Sequence, residues 1–121
     1  MKQCLVVDDS RVVRKITCRI LEQLKLVATE AEDAASALKA CRKSMPDAVL
    51  LDAHLEHAGS FEFLRSLRKE KDGDRPVVVF CTAENNLERI TEALGAGAND
   101  YLLKPFDRDV LQDKLTQAGL L

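Results

Sequence analysis

The sequence predicts an α/β protein with a doubly wound, five-stranded parallel sheet. Short apolar runs alternate five times with segments whose apolar residues recur at helical spacing. Two of the runs, 5–7 and 48–51, end directly at aspartates, as buried strands do when their carboxyl ends border a site. Such alternation builds a parallel sheet with helices on both faces, and five strands favour the order 2-1-3-4-5.

The first half of the chain supplies three strands and two helices. Strand 1 is predicted over 5–7, and Ser10 is the expected N-cap of helix 1. The apolar face predicted for that helix consists of Val13, Ile16, Ile20 and Leu24. A short strand 2 is predicted over 26–29, helix 2 follows Asp33, and strand 3 covers 48–52.

The second half of the chain supplies the other two strands and three helices. Helix 3 is predicted from about Ser60, and strand 4 covers 77–81. Gly95 is expected to close helix 4, whose apolar marks are Leu87, Ile90 and Leu94. Strand 5 is predicted over 100–103, and Asp107 caps helix 5.

Composition narrows the class of protein. The chain has 121 residues, 46% of them hydrophobic, so one domain spanning 1–121 with its own core is expected. The net charge of −2 argues against a nucleic-acid surface, and no apolar run approaches the length of a membrane span. No signal peptide is evident, and four widely spaced cysteines without a CxxC motif read as reduced core residues. The protein is therefore predicted to be cytoplasmic.

Polar groups follow the strand ends in a pattern that indicates phosphoryl chemistry. In the predicted order, Asp8, Asp9 and Asp52 meet in one crevice, and Thr82 and Lys104 reach the same edge. Clustered carboxylates repel each other unless a cation sits among them, and ligands that are all oxygen favour Mg²⁺. Metal, hydroxyl and ammonium would cage a phosphoryl group, with Asp52 as the nucleophile that forms an aspartyl phosphate.

Several short motifs along the chain together form the pattern of a known family. They are Val7-Asp8-Asp9-Ser10 with Arg14, Pro46-Asp47 through Leu51-Asp52, Thr82-Ala83, Gly95-Ala96-Gly97-Ala98-Asn99-Asp100-Tyr101 and Lys104-Pro105-Phe106. With these motifs the chain resembles a response-regulator receiver domain over essentially its whole length. It is closely similar to the single-domain, CheY-like regulators of bacterial chemotaxis, which implies a flavodoxin-like (CheY-like) fold.

The resemblance implies a role for each residue at the crevice. Asp52 is the expected phosphoacceptor. Asp9 and Asp52 are expected to bind Mg²⁺ directly, Asp8 to hold it through water, and the backbone carbonyl of His54 to complete the protein ligands. Thr82 and Lys104 would then contact the phosphoryl oxygens.

The resemblance also implies a switch and residues that tune it. Tyr101 resembles the switch aromatic, which turns inward when Thr82 is drawn toward the phosphate. The peptide before Pro105 is a candidate for the cis form. His54 and Glu84, each two residues past a site residue, occupy positions that tune hydrolysis in the family, and we expect them to control water access.

The segment after Asp52 departs from the family pattern. Glu56 stands where proline is frequent, and Ala58-Gly59-Ser60 replaces the usual Met-Asp-Gly, so the loop bordering the metal and the partner surface is atypical. A transition metal held by His54, His57 and Asp52 is a weaker alternative, since two loop histidines have no fixed helical geometry.

The expected function is phosphorylation-controlled protein binding rather than enzymatic turnover. A sensor histidine kinase or histidine phosphotransfer protein would donate the phosphoryl group, and the helix 4–strand 5–helix 5 face of a monomer without an output domain would bind a downstream protein. One alternative is a phosphate sink or relay intermediate with no motor target. A magnesium-dependent phosphatase fits badly, because Asp8-Asp9 are adjacent and no cap insertion is present. A flavin- or nucleotide-binding domain of the same fold is also disfavoured, because the chain has five glycines and no glycine-rich phosphate loop.

Overall fold

A computed structural model describes residues 1–55, 59–83 and 85–121. Five strands form one sheet in the order β2-β1-β3-β4-β5, and every neighbouring pair is parallel. The predicted fold class and strand order are therefore confirmed. No helix in the described ranges is both long enough and apolar enough to span a bilayer.

Strands and helices alternate along the chain. The strands are β1 Gln3–Val7, β2 Val27–Ala31, β3 Ala48–Asp52, β4 Val77–Thr82 and β5 Asp100–Leu103. The helices are α1 Arg11–Gln23, α2 Ala34–Lys43, α3 Gly59–Lys69, α4 Leu87–Ala96 and α5 Arg108–Gln117. Each apolar strand run thus ends at one edge of the sheet, where a short connection leads into the next helix.

Side-chain caps fix where the helices begin. The predicted caps Ser10 and Asp107 accept hydrogen bonds from backbone N–H groups in the first turns of α1 and α5. Asp33, after which helix 2 is predicted, does the same for α2. Asn86 does the same for α4, where its side chain accepts from the N–H of Arg89 at 3.2 Å. Because these caps lie at the carboxyl edge of the sheet, they define the backbone that surrounds the site.

The buried face of α1 differs from the predicted one. Ile16 is 57% exposed, whereas Thr17, Cys18 and Leu21 are buried against the sheet. The apolar stripe is wider than the face that the sheet covers. Its uncovered part borders an open groove of about 380 Å³, which is lined by Val13, Ile16, Thr17, Ile20, Ala83, Lys104, Pro105 and Phe106.

The predicted limits of α4 and β2 also need correction. Helix α4 continues past Gly95 to Ala96 and ends at Gly97, whose φ of 124° favours glycine. Of its predicted apolar marks only Ile90 is buried, while Leu87 and Leu94 are exposed. Strand β2 starts one residue later than predicted, because the N–H of Leu26 donates back to Leu21 at the end of α1.

Apolar clusters cover both faces of the sheet. Side chains of β3 divide between them, with Val49 and Leu51 on the α2–α3 side and Leu50 on the α1–α5 side. This alternation is the period-two pattern of a strand covered on both faces. All four cysteines are free and buried, as the sequence predicts.

Candidate functional site

Three aspartates meet at the carboxyl edge of the sheet. Asp8 follows β1 and Asp52 ends β3, and these strands are neighbours that pair Val7 with Leu51. Carboxylate oxygens of Asp8, Asp9 and Asp52 all lie within 4.8 Å of one another. The side chains of Asp8 and Asp52 are only 6% exposed, whereas Asp9 is exposed. The crevice therefore combines two buried acids with one that faces solvent.

Lys104 lies against two of these acids. Its Nζ is 2.7 Å from Asp8 Oδ2 and 3.2 Å from Asp52 Oδ1. Its backbone N–H donates to the carbonyl of Thr82 at 2.8 Å, which aligns the ends of β4 and β5. The Lys104–Pro105 peptide is cis, as the resemblance implied. The ammonium is thus positioned to interact with a phosphoryl group attached to Asp52.

The surroundings of Asp52 and Lys104 raise the pKa of both groups. Burial raises the pKa of Asp52, and the charge of Asp8 adds to this, although Lys104 and the N–H of His54 partly oppose it. Burial alone would lower the pKa of Lys104, but its hydrogen bond to Asp8 and the charge of Asp52 outweigh it, and the net pKa is raised. Negative charge is therefore in excess around this lysine, which favours binding of a further cation.

Backbone and side-chain groups hold Asp52 in place. The N–H of His54 donates to Asp52 Oδ1 at 3.1 Å. The hydroxyl of Ser60 donates to the Asp52 carbonyl at 2.6 Å and accepts from the N–H of Leu55 at 3.3 Å. Ser60 is almost fully buried. From the sequence, Ser60 is predicted as the approximate start of helix 3 and as a departure from the family pattern, but its contact with Asp52 is not predicted. The available signal is a serine in the first turn of the helix that follows Asp52.

Asp8 is held by residues of the β1–α1 connection. The N–H of Ser10 donates to Asp8 Oδ1 at 2.9 Å, and Arg14 Nη1 donates to the Asp8 carbonyl at 2.7 Å. Arg14 in turn pairs with Glu30 on β2, with 3.0 Å between Nε and Oε1. Three adjacent elements therefore fix the position of this acid.

The other predicted site residues differ in where they lie. Thr82 is buried at the end of β4 and Tyr101 is exposed on β5, with Lys114 Nζ 5.5 Å from the centre of its ring. His54 is exposed, and the role of its carbonyl as a metal ligand stays a prediction. Glu84 lies outside the described residues, as do Glu56, His57 and Ala58.

The donor set suits a hard divalent cation. Among the described residues, the cluster with metal-ligand geometry consists of Asp8, Asp9 and Asp52 and offers only carboxylate oxygens. Mg²⁺ characteristically uses a few carboxylates and completes its shell with water and phosphate oxygens. These residues therefore fit Mg²⁺. The histidine-ligated alternative includes His57, which lies outside the described residues, so it stays a prediction.

Comparison with known proteins places the chain in a family. Residues 4–116 match the model of the response regulator receiver domain. The chain belongs to this family, whose members are regulatory phosphoacceptors.

Individual relatives differ in how much of their length the chain covers. It is 35% identical over 105 residues to the phosphate regulon transcriptional regulatory protein PhoB of Escherichia coli, covering 87% of this chain but only 46% of PhoB. It is 34% identical over 112 residues to the chemotaxis protein CheY-3 of Vibrio cholerae, covering 92% and 86%.

A solved structure supports the same relationship. The receiver domain of sensor histidine kinase PA1611 from Pseudomonas aeruginosa, which has a magnesium ion coordinated in its active-site cleft, superposes with a TM-score of 0.87. It is 29% identical in sequence, and the match covers 96% of this chain and 95% of that one.

Proposed function

We propose that the protein accepts a phosphoryl group on Asp52 from a sensor histidine kinase or histidine phosphotransfer protein, in a reaction that requires Mg²⁺. The observation that carries this proposal is the arrangement around Asp52. A buried carboxylate ends a central strand, with Lys104 at 3.2 Å and two further acids within 4.8 Å. A carboxylate in such surroundings is suited to nucleophilic attack on phosphorus.

The chain's own residues would position the reacting groups. A carboxylate oxygen of Asp52 forms the new bond to phosphorus while the bond to the donor breaks, and the donor keeps that electron pair. Lys104 neutralises charge on the phosphoryl oxygens, and Thr82 lies at the adjoining strand end to receive one of them. Asp8, Asp9 and Asp52 would hold Mg²⁺, which would supply further charge neutralisation. We further propose that the protein assists its own phosphorylation and dephosphorylation without turning over a separate substrate.

The proposed output is protein–protein binding through the α4–β5–α5 face. The charge added to Asp52 draws Thr82 toward the phosphate, and Tyr101 turns inward. This face is suited to a protein partner because it exposes the apolar side chains Leu87, Leu94, Tyr101, Leu103 and Val110.

A role in chemotaxis signalling is the setting that we propose for residues 1–121 acting as a single receiver domain. The similarity to CheY-3 of Vibrio cholerae supports it, because the match covers most of both chains. The four free buried thiols are compatible with the cytoplasm, where disulfides are rare.

Intact mass after mixing with acetyl phosphate tests the proposal directly. One added phosphoryl group is expected in the presence of Mg²⁺, and none with chelator or in Asp52→Ala. Asp9→Ala, which removes an exposed predicted ligand, should raise the Mg²⁺ concentration that is needed. An adduct that persists in Asp52→Ala would contradict the assignment of the phosphoacceptor.

A further inference from the structure

Arg89 reaches from α4 to the loop that follows the phosphoacceptor. Its Nη2 donates to the carbonyl of Ala53, and its Cζ lies 5.0 Å from the centre of the Phe61 ring. The backbone of Arg89 is itself fixed, because its N–H donates to the cap Asn86. One side chain therefore connects the first turn of α4 with the residue next to Asp52.

The carbonyl that Arg89 contacts belongs to the same peptide group as the N–H that contacts the phosphoacceptor. The Ala53 oxygen accepts from Arg89 at one end of this planar group, and the His54 N–H donates to Asp52 Oδ1 at the other, at 3.1 Å. A hydrogen bond at one end fixes the orientation of the plane. A charged donor at the oxygen also polarises the N–H, because linked hydrogen bonds strengthen one another.

The surroundings of Arg89 do not resemble those of an ordinary surface ion pair. Its Nε is buried and has no hydrogen-bond partner within the described part of the chain. Leaving a buried donor without a hydrogen-bond partner costs stability, so the position of this Nε–H group calls for an explanation. The hydrogen bond to the Ala53 carbonyl supplies the explanation. To reach that carbonyl, the guanidinium has to be buried beside Phe61.

We infer that Arg89 is a positioning residue for phosphoryl transfer to Asp52, acting through the Ala53–His54 peptide. This inference rests on the proposed function. When acetyl phosphate is the donor, a bond forms between an Asp52 carboxylate oxygen and phosphorus as the bond from phosphorus to the acetyl oxygen breaks. Acetate leaves with that electron pair, and no proton needs to move. Arg89 contributes by holding the peptide N–H on the carboxylate throughout this exchange.

The test compares Arg89→Met and Arg89→Lys with the matched control Arg65→Met. Methionine keeps an apolar chain beside Phe61 but removes the donor, and lysine restores a charged donor. Arg65 suits the control because its Cζ lies 5.9 Å from the centre of the Phe61 ring. Its Nη2 lies 3.9 Å from Oε1 of Glu92, and both of these side chains are exposed to solvent. Two quantities are measured: the phosphorylation rate as a function of acetyl phosphate concentration, and the hydrogen-exchange rate of the His54 amide by NMR.

A positioning role predicts a specific pattern. Arg89→Met lowers the maximal phosphorylation rate about tenfold, leaves the half-saturating donor concentration unchanged and speeds exchange at His54. Arg89→Lys recovers part of the rate and of the protection, and Arg65→Met behaves as the unsubstituted protein.

Other results would overturn the inference. A higher half-saturating concentration with an unchanged maximal rate would mean that Arg89 only attracts the anionic donor. An equal loss in Arg65→Met would assign the effect to packing around Phe61. If the unsubstituted protein takes no phosphoryl group, the proposed function fails and the inference with it. If it is phosphorylated and Arg89→Met matches it in rate and exchange, only the inference fails.

Discussion

Two cationic side chains hold opposite edges of the sheet, and their partners differ in charge. Lys104 lies at the carboxyl edge and contacts the carboxylates of Asp8 and Asp52. Arg68, on α3, reaches the segments that precede β4 and β5 at the amino edge and contacts neutral oxygens. Each cation joins segments that are far apart in the sequence.

Arg68 uses its fork of donors to fasten α3 to the segments that precede β4 and β5. Nε and Nη2 donate to the Gly97 carbonyl at 2.9 and 2.7 Å, and Nη1 donates to the carbonyls of Gly73 and Pro76, each at 2.8 Å. Nη2 also donates to Asn99 Oδ1 at 2.9 Å, and that oxygen accepts from the backbone of β4 as well. This planar set of contacts requires an arginine.

The pKa shifts of the two cations have opposite signs. Burial lowers the pKa of Arg68, because neutral carbonyls only partly replace its hydration. The pKa of Lys104 is raised despite burial, because carboxylates surround it. The amino edge is thus a neutral anchor with its acceptors satisfied. The carboxyl edge keeps an excess of negative charge, which suits it to the metal binding and the phosphorylation proposed for Asp52.

The largest effect should follow from Lys104→Met. Removing the ammonium takes away charge neutralisation at the phosphoryl oxygens, so the phosphorylation rate should fall about a hundredfold or more. The measurement is the rate of mass increase with acetyl phosphate and Mg²⁺. Lys114→Met is the matched control. The Lys114 side chain is 22% exposed compared with 21% for Lys104, and it pairs with Asp100 rather than with Asp8 or Asp52. Equal phosphorylation rates in Lys104→Met and Lys114→Met would contradict a specific role for the Lys104 ammonium.

Arg68→Met should affect stability instead of chemistry. It leaves three carbonyls and an amide oxygen without their charged donor, so the free energy of unfolding should fall by about 3 kcal/mol. The phosphorylation rate of the folded protein should stay the same. Urea unfolding gives the first quantity and intact mass the second. Arg75→Met is the control. Among the described residues the Arg75 side chain donates to one carbonyl, that of Met45, so this variant should lose less than about 1 kcal/mol.

The two edges also differ in how far the sequence predicts them. Asp8, Asp52 and Lys104 each end an apolar run, and parallel strands bring such ends together whatever the details of packing. The sites of Arg68, Arg89 and Ser60 depend on how α3 and α4 pack, which no local period encodes. Ile16 shows the same limit, because its spacing marks an apolar stripe but not which part of it the sheet covers.

The smallest effect that we predict concerns two carboxyl groups with opposite pKa shifts. Because the pKa of Asp52 is raised, folding favours its neutral form relative to the unfolded chain. Any stability from this group is therefore present below its ordinary pKa of about 4 and is lost as the pH rises through the folded value. Hydrogen bonds to Lys15 and Arg14 lower the pKa of Glu30, so its contribution is present above its ordinary pKa and is lost on acidification.

Neutral amides at these two positions should therefore change stability in opposite directions. With chelator at pH 7, Asp52→Asn should raise the melting temperature by a few degrees, and Glu30→Gln should lower it by less. The difference for Asp52→Asn should shrink as the pH falls toward about 4, whereas the difference for Glu30→Gln should shrink only on further acidification, because the folded-state pKa of Glu30 is lowered. Thermal melts from pH 7 to about pH 3 will show both changes. A melting temperature for Asp52→Asn below that of the unsubstituted protein at pH 7 would mean that Lys104 fully compensates the buried charge. The charges at the carboxyl edge would then be as balanced as those at the amino edge, and the contrast between the two edges would not support the proposal that phosphorylation occurs at the carboxyl edge.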